Sequence, residues 1–222
     1  MPKGNPWEDH YTRRARKEKW LARSIYKLQE IDRRLKLIRR GDRILDLGCY
    51  PGSWSQYCIQ KVGPKGEVVG IDLKAPQGIA APNFKYMQGD ISKIHSQHIK
   101  RDVGNRHVVI SDLAPQTTGI LLADISRSME LAEKALEIAF AVLVKNGHFL
   151  CKVFEGGDLK AFREKCSHAF SRIRNIRPPA IRKGSREMYI AGLTFKGAST
   201  PLTGHADDVL HEKNAIWIKP IH

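Results

Sequence analysis

The chain has 222 residues, enough for one domain with a full core, and no apolar run approaches the ~18 residues of a membrane span. Lys and Arg number 38 against 23 Asp and Glu, a formal charge of +15 that favours a polyanionic partner, most simply nucleic acid. The four cysteines (Cys49, Cys58, Cys151, Cys166) form no C-x-x-C pair, which argues against a zinc site or a disulfide framework and for reduced thiols in a cytoplasmic compartment.

Residues 1–22 read as a basic arm. The first nine carry no apolar stretch, so no secretory signal is expected, and Glu8, Asp9 and Glu18 interrupt the basic run that a transit peptide would need. Low apolar periodicity makes residues 1–20 a mobile segment with helical potential only over 11–20. From Ser24, the recurrence of Ile25, Leu28, Ile31, Leu35 and Ile38 predicts an amphipathic helix ending near Gly41, with Lys27 beside its apolar face.

The organising stretch follows. Ile44-Leu45-Asp46-Leu47 reads as a buried strand that stops at Gly48; Gly48 and Gly52 bracket a tight turn, and 53–61 can be a helix. Strand, glycine turn and helix together expose backbone N–H groups at a strand's carboxyl end, where ligands settle in α/β sheets. The G-x-x-x-G spacing lacks the fingerprint that cradles a dinucleotide pyrophosphate, and a βαβ unit without a ligand is the plain structural alternative.

A turn at 63–66 leads to a strand over 67–72 ending at Asp72, a position suited to a ribose diol. After a loop with Pro76, Gly78 and Pro82, a strand over 84–88 closes on Gly89-Asp90, and 91–101 reads as a short helix. His107-Val108-Val109-Ile110-Ser111 is a further strand, followed by Asp112 and the breaker Pro115. A loop at 117–123 precedes a long helix from about 125 to 143. Asn146-Gly147 then turns the chain into a strand over 148–154, which Lys152 interrupts. A helix over 159–169 and strands over 171–177 and 187–195 complete a domain spanning 23–197. This alternation predicts a mostly parallel sheet with helices on both faces. Residues 198–222 differ in composition and form a C-terminal tail of unassigned role.

Asp46, Asp72, Asp90 and Asp112 collect at the carboxyl edge of the expected sheet, where charges are costly unless used or paired. Asp72 and Asp90 suit a ribose and an adenine amine. Lys152, flanked by apolar residues on a central strand, either snorkels or sits in a site; a lysine acts as a base only when its amine is neutral. Lys27 is the available neighbouring cation, and Asp112 and Glu187 are the available carboxylates. Positive charge is clustered: residues 1–40 hold thirteen Lys/Arg against five Asp/Glu, and Arg172, Arg174, Arg177, Arg182, Lys183 and Arg186 have no acid between them. A solubilising surface would explain a basic chain, but clustering at two places favours RNA or DNA.

Five motifs stand in order: Ala22-Arg23-Ser24-x-Tyr26-Lys27-Leu28, Asp46-Leu47-Gly48-x-x-Pro51-Gly52-Ser53-Trp54-Ser55-Gln56, Ser111-Asp112-Leu113-Ala114-Pro115, Cys151-Lys152-Val153-Phe154 and Ser185-Arg186-Glu187-x-Tyr189. Over residues 9–195 the chain resembles the FtsJ/RrmJ family of ribosomal RNA large-subunit (uridine-2′-O-)methyltransferases. The resemblance implies a Rossmann-like S-adenosylmethionine-dependent methyltransferase fold, seven-stranded with its last strand antiparallel. It implies a K-D-K-E tetrad on Lys27, Asp112, Lys152 and Glu187, with Lys152 as base, Asp112 and Glu187 orienting, and Lys27 also meeting RNA. S-adenosyl-L-methionine would be held by Gly52, Trp54, Asp72, Asp90 and Asp112; no metal is expected. Cys49-Tyr50 stands where family members often carry small residues. The expected enzyme is a monomer that methylates a ribose 2′-hydroxyl of large-subunit ribosomal RNA. A tRNA-directed enzyme is the nearest alternative, followed by a non-catalytic RNA-binding assembly factor, which predicts a broken tetrad, and a small-molecule methyltransferase, which leaves the basic arm without a role.

Overall fold

The computed structural model describes residues 10–156 and 158–197. In chain order, helices α1 (His10–Lys17) and α2 (Ile25–Leu35) precede strand β1 (Arg43–Leu47), helix α3 (Ser53–Val62), and strands β2 (Glu67–Asp72) and β3 (Phe84–Gln88). Then come α4 (Ser96–Val103), β4 (Arg106–Ser111), α5 (Leu121–Val142), β5 (Leu143–Phe154), α6 (Leu159–Ala169), β6 (Phe170–Ile176) and β7 (Glu187–Phe195). The seven strands form one sheet in the order β3-β2-β1-β4-β5-β7-β6, parallel except for β7, which runs antiparallel to both neighbours.

The central strands are apolar on both sides because helices cover both faces. Ile44, Val68, Val108, Ile110 and Leu150 pack with Leu28 and Ile31 of α2 and Trp54, Cys58 and Val62 of α3. Alternate residues, among them Leu45, Val69, Val109 and Phe149, pack on the other face with Ile99 of α4, Leu136 of α5 and Phe162 of α6. From β1 the chain moves outward to β2 and β3, then returns to place β4 on β1's other side. That reversal opens a crevice at the carboxyl ends of β1 and β4. Leu47 and Ser111 are register partners there, so Gly48 and Asp112 leave the sheet side by side.

Several boundaries differ from expectation for local reasons. The periodicity that runs to Ile38 overshoots α2, which ends at Leu35. Lys36 adopts a left-handed conformation (φ 55°), and the Asp32 carboxylate accepts the Ile38 N–H at 2.9 Å and the Tyr57 hydroxyl at 2.7 Å. Leu37 and Ile38 stay buried without being helical. Helix α5 begins at Leu121 because the Asp124 carboxylate accepts the N–H groups of Thr118 and Gly119, folding the loop onto the helix. The expected helix over 91–101 is α4, starting at Ser96, because the Asp90 carboxylate holds Ser92 in a turn. Residues 10–22 are not a loose arm: α1 is docked, with Ala15 buried against Ile25, Tyr26 and Ala180. Residues 1–9 and the tail from 198 lie outside the described residues.

Candidate active site

Antiparallel pairing of β5 with β7 sets Lys152 opposite Tyr189 and Phe154 opposite Glu187. Lys152 is 7% exposed. Its Nζ donates to the Asp112 main-chain oxygen at 2.6 Å and lies 3.2 Å from Asp112 Oδ1. The same Oδ1 is 2.7 Å from the Tyr189 hydroxyl, which is also 2.8 Å from Glu187 Oε1. Glu187 Oε1 in turn accepts from Lys27 Nζ. The four polar residues expected to work together are therefore joined, through Tyr189, in one chain of contacts, Lys152–Asp112–Tyr189–Glu187–Lys27. Two lysines and two carboxylates balance in charge, which is what permits their burial.

Tyr189, the last residue of the fifth motif, is the link between the two halves. Its signal was present, since Glu187 and Tyr189 are two apart on a strand and so face the same way. A phenol has a single proton to share between the two carboxylates. Burial, then the charges of Asp112 and Glu187, hold that proton on by pushing the phenol well above its ordinary value. For Asp112, burial would raise the carboxyl, but the ammonium groups of Lys152 and Lys27 and the Tyr189 hydrogen bond outweigh it and hold it below its ordinary value.

Beside this chain lies a crevice of about 320 Å³, within the range of small-ligand sites. Gly48, Tyr50, Asp72, Asp90, Asp112 and Leu113 are among its lining residues, so Asp112 belongs to both crevice and tetrad. Gly48 has φ +79°, and a Cβ there would come within 2.7 Å of Leu113, so only glycine leaves the mouth open. The Asp72 carboxylate accepts the N–H groups of Tyr50 at 2.9 Å and Lys74 at 3.1 Å, bracing the glycine turn. The Asp90 carboxylate accepts from Ser92 Oγ at 2.6 Å. Gly52 and Trp54 sit differently. Gly52 (φ +119°) is packed beneath Leu21, Pro76 and Ile79, and the Trp54 indole is buried, donating to the Ser24 carbonyl at 2.9 Å. The Trp54 side chain thus clamps α2 to α3, and neither Gly52 nor Trp54, both expected to hold the cofactor, is among the residues that line the crevice. A larger open hollow of about 1020 Å³ runs along α5, and no tetrad residue lines it.

Asp46 is the second residue whose importance the sequence understated. It is fully buried under the turn; Ser55 Oγ donates to its Oδ2 at 2.6 Å, and its Oδ1 has no partner. Burial, opposed by the Ser55 hydrogen bond and reinforced by the charges of Asp112 and Asp72, pushes its carboxyl up to about 7. Four carboxyl groups beneath and around one crevice (Asp46, Asp72, Asp90 and Asp112), one with an unused oxygen, suit a ligand carrying positive charge. S-adenosylmethionine, with an ammonium and a sulfonium at one end and a ribose and adenine at the other, fits that donor set.

A seven-stranded sheet with one antiparallel strand, a glycine turn after its first strand and acids at the ends of the next define a Rossmann-like methyltransferase. The comparisons narrow this. A family model described as FtsJ-like methyltransferase matches residues 20–195. The ribosomal RNA large subunit methyltransferase E of Desulforapulum autotrophicum is 44% identical over 196 residues, covering 88% of this chain and 96% of that protein. The protein of the same name from Methanothermobacter thermautotrophicus is 41% identical over 201 residues, covering 87% and 95%. Among solved structures, a ribosomal RNA methyltransferase from Plasmodium falciparum superposes with a TM-score of 0.71 at 25% identity, over 81% of this chain and 100% of that one. Aeropyrum pernix fibrillarin, solved with natively bound S-adenosyl-L-methionine, shares the fold at 15% identity, with a TM-score of 0.50 over 71% and 68%. The chain belongs to the FtsJ-like methyltransferase family. Among its described residues no helix is long and apolar enough to cross a membrane.

Proposed function

We propose that the protein transfers the methyl group of S-adenosyl-L-methionine to a ribose 2′-hydroxyl of large-subunit ribosomal RNA, at a uridine, acting as a monomer in the cytoplasm. The observation that carries this reading is the Lys152–Asp112 contact where the tetrad meets the crevice. The names of the relatives support the substrate class, and the chain covers nearly all of their length.

The cofactor, when bound, supplies a methyl group made electrophilic by its sulfonium. The protein's task is to align a hydroxyl with that methyl and remove its proton. Asp72 would hold the ribose diol and Asp90 the adenine side, with the turn at Gly48 and Tyr50 and Asp112 at the methionine end. Lys152, once it has released its ammonium proton to solvent, would take up the hydroxyl proton as the oxygen–methyl bond forms and the methyl–sulfur bond breaks. Asp112 holds the Lys152 amine through both its carboxylate and its main-chain oxygen, so the base is positioned before substrate arrives. Glu187 and Tyr189 brace Asp112 from the far side, and Lys27 balances Glu187 and faces the RNA.

The test is methyl transfer from labelled cofactor to ribosomal RNA or large subunits from cells lacking the corresponding gene, followed by mapping of the modified nucleotide. One 2′-O-methylated uridine in large-subunit RNA is the expected result. Labelling only of tRNA would replace the substrate, and no labelling of any RNA by cofactor-binding protein would refute the enzyme reading.

A further inference from the structure

The two basic segments lie some 160 residues apart in the chain, yet the fold joins them. Helix α1 is seated by Ala15 against Tyr26 and Ala180, and the Arg23 guanidinium donates to the Ala180 carbonyl. Arg14 stacks over the Tyr26 ring at 4.5 Å and Arg23 over the Tyr11 ring at 5.4 Å, so these side chains are held rather than trailing. The loop that contains Ala180 is itself closed by Arg177, which donates to the Ser185 carbonyl and lies 3.4 Å from Glu155. Within that loop Arg182, Lys183 and Arg186 are exposed, as is Lys17 on α1. Among the described residues none of these four has an ion-pair partner. Arg182 is close enough for its charge to help lower the Arg23 guanidinium below its ordinary value, after burial. The loop runs directly into Glu187, and α2 carries Lys27 one turn after Arg23, so this surface ends at the Lys27–Glu187 pair.

We propose that α1 and the 177–186 loop form a single phosphate-binding strip that presents RNA to the tetrad from the Lys27–Glu187 side, while the cofactor enters from the opposite, Asp72–Asp90 side. The inference rests on the RNA-methylating reading above and adds where the RNA lies. None of the residues lining the crevice belongs to the strip, so the two ligands do not compete for space. An RNA backbone fits this surface better than a protein does. Protein interfaces need an apolar centre, and among the described residues the only exposed large apolar residue that borders the strip is Leu21; the others are Tyr50, Leu73, Ile120, Leu121, Leu122 and Phe140. Cations without an apolar centre make contacts that set position and orientation and carry no sequence information.

The test compares two triple variants of equal charge. Arg182→Ala/Lys183→Ala/Arg186→Ala removes cations from the strip; Lys145→Ala/Lys160→Ala/Arg163→Ala removes exposed cations elsewhere, two of them on α6, which packs on the other face of the sheet. Binding to a ribosomal RNA fragment is measured across salt concentrations, and binding of S-adenosylhomocysteine serves as the folding control. Each lost phosphate contact lowers the slope of log affinity against log salt by roughly 0.7 for single strands, so the strip variant should lose about 2 from its slope. If affinities converge near 1 M salt, that corresponds to about 40-fold weaker binding at 0.15 M. The control variant should keep the parent slope, and both should bind S-adenosylhomocysteine normally. An unchanged slope in the strip variant overturns the proposal. So does an equal fall in both variants, which would mean diffuse attraction. So does a loss seen only with ribosomal particles and not with naked RNA, which would mean a protein contact. Failure of the parent to methylate RNA sinks the catalytic reading but leaves the strip measurable by binding alone.

Discussion

Replacing Lys152 with alanine separates the base from its surroundings. The substitution removes a hydrogen bond to the Asp112 main chain and an ion pair to its carboxylate, with side chains 6% and 17% exposed. Stripping one partner from a buried pair costs roughly 3–5 kcal/mol. Asp112 is partly exposed and keeps the Tyr189 hydroxyl and the field of Lys27, so about 2–3 kcal/mol is expected here. The catalytic loss is a different quantity: a general base contributes about 10²–10⁴ in rate, or about 3–5 kcal/mol of barrier. Single-turnover methylation at saturating cofactor, run beside urea denaturation and cofactor titration, reads the two effects independently. Lys152→Ala should bind cofactor near normally and lose at least about a hundredfold in rate. Adding Asp112→Asn should recover part of the stability, because no orphaned charge remains, and recover none of the rate. A Lys152→Ala rate within about fivefold of the parent would remove Lys152 as the base, and recovery of rate in the double variant would show that its role was only to neutralise Asp112.

Asp46 gives a pH signature. Its folded carboxyl titrates near 7 against 3.8 when free, so its proton stabilises the fold fully below about 4, and that stability is lost as pH rises to about 7. Asp46→Asn cannot ionise, so in the absence of cofactor the variant's stability relative to the parent should rise by about 3 kcal/mol between pH 4.5 and 7.5, measured by urea denaturation. A difference independent of pH would mean that Asp46 titrates normally. Gly48→Ala drives a methyl against Leu113 at the crevice mouth and strains a left-handed residue. It should cost about 1 kcal/mol in stability and weaken cofactor binding about tenfold by calorimetry; unchanged affinity would place the cofactor elsewhere.

Much of this protein is legible in order along its chain. The strands declare themselves as short apolar runs ending in Gly or Asp, because strands buried on both faces tolerate little else. The glycine turn at 48–52 and the lysine inside an apolar strand mark the working edge for the same reason, since each is costly unless put to use. Helix ends are the least legible feature: apolar spacing continues through Leu37 and Ile38, while the Asp32 carboxylate captures the Ile38 N–H and α2 stops three residues earlier. A hydrogen bond from a side chain to a nearby backbone group competes with the helix but leaves no trace in hydrophobic period.

What only the tertiary structure decided is proximity. The sequence by itself named Lys27, Asp112, Lys152 and Glu187 as separate polar residues in apolar or basic surroundings, and through resemblance as a set. It could not show that Tyr189 joins them, that Asp46 sits beneath them with an oxygen unpaired, or that α1 docks on the loop around Ala180. Each of these is a contact between residues distant in sequence, fixed by strand register and helix packing. Local propensity and period carry no information about such contacts, because they depend on where the sheet brings two segments together.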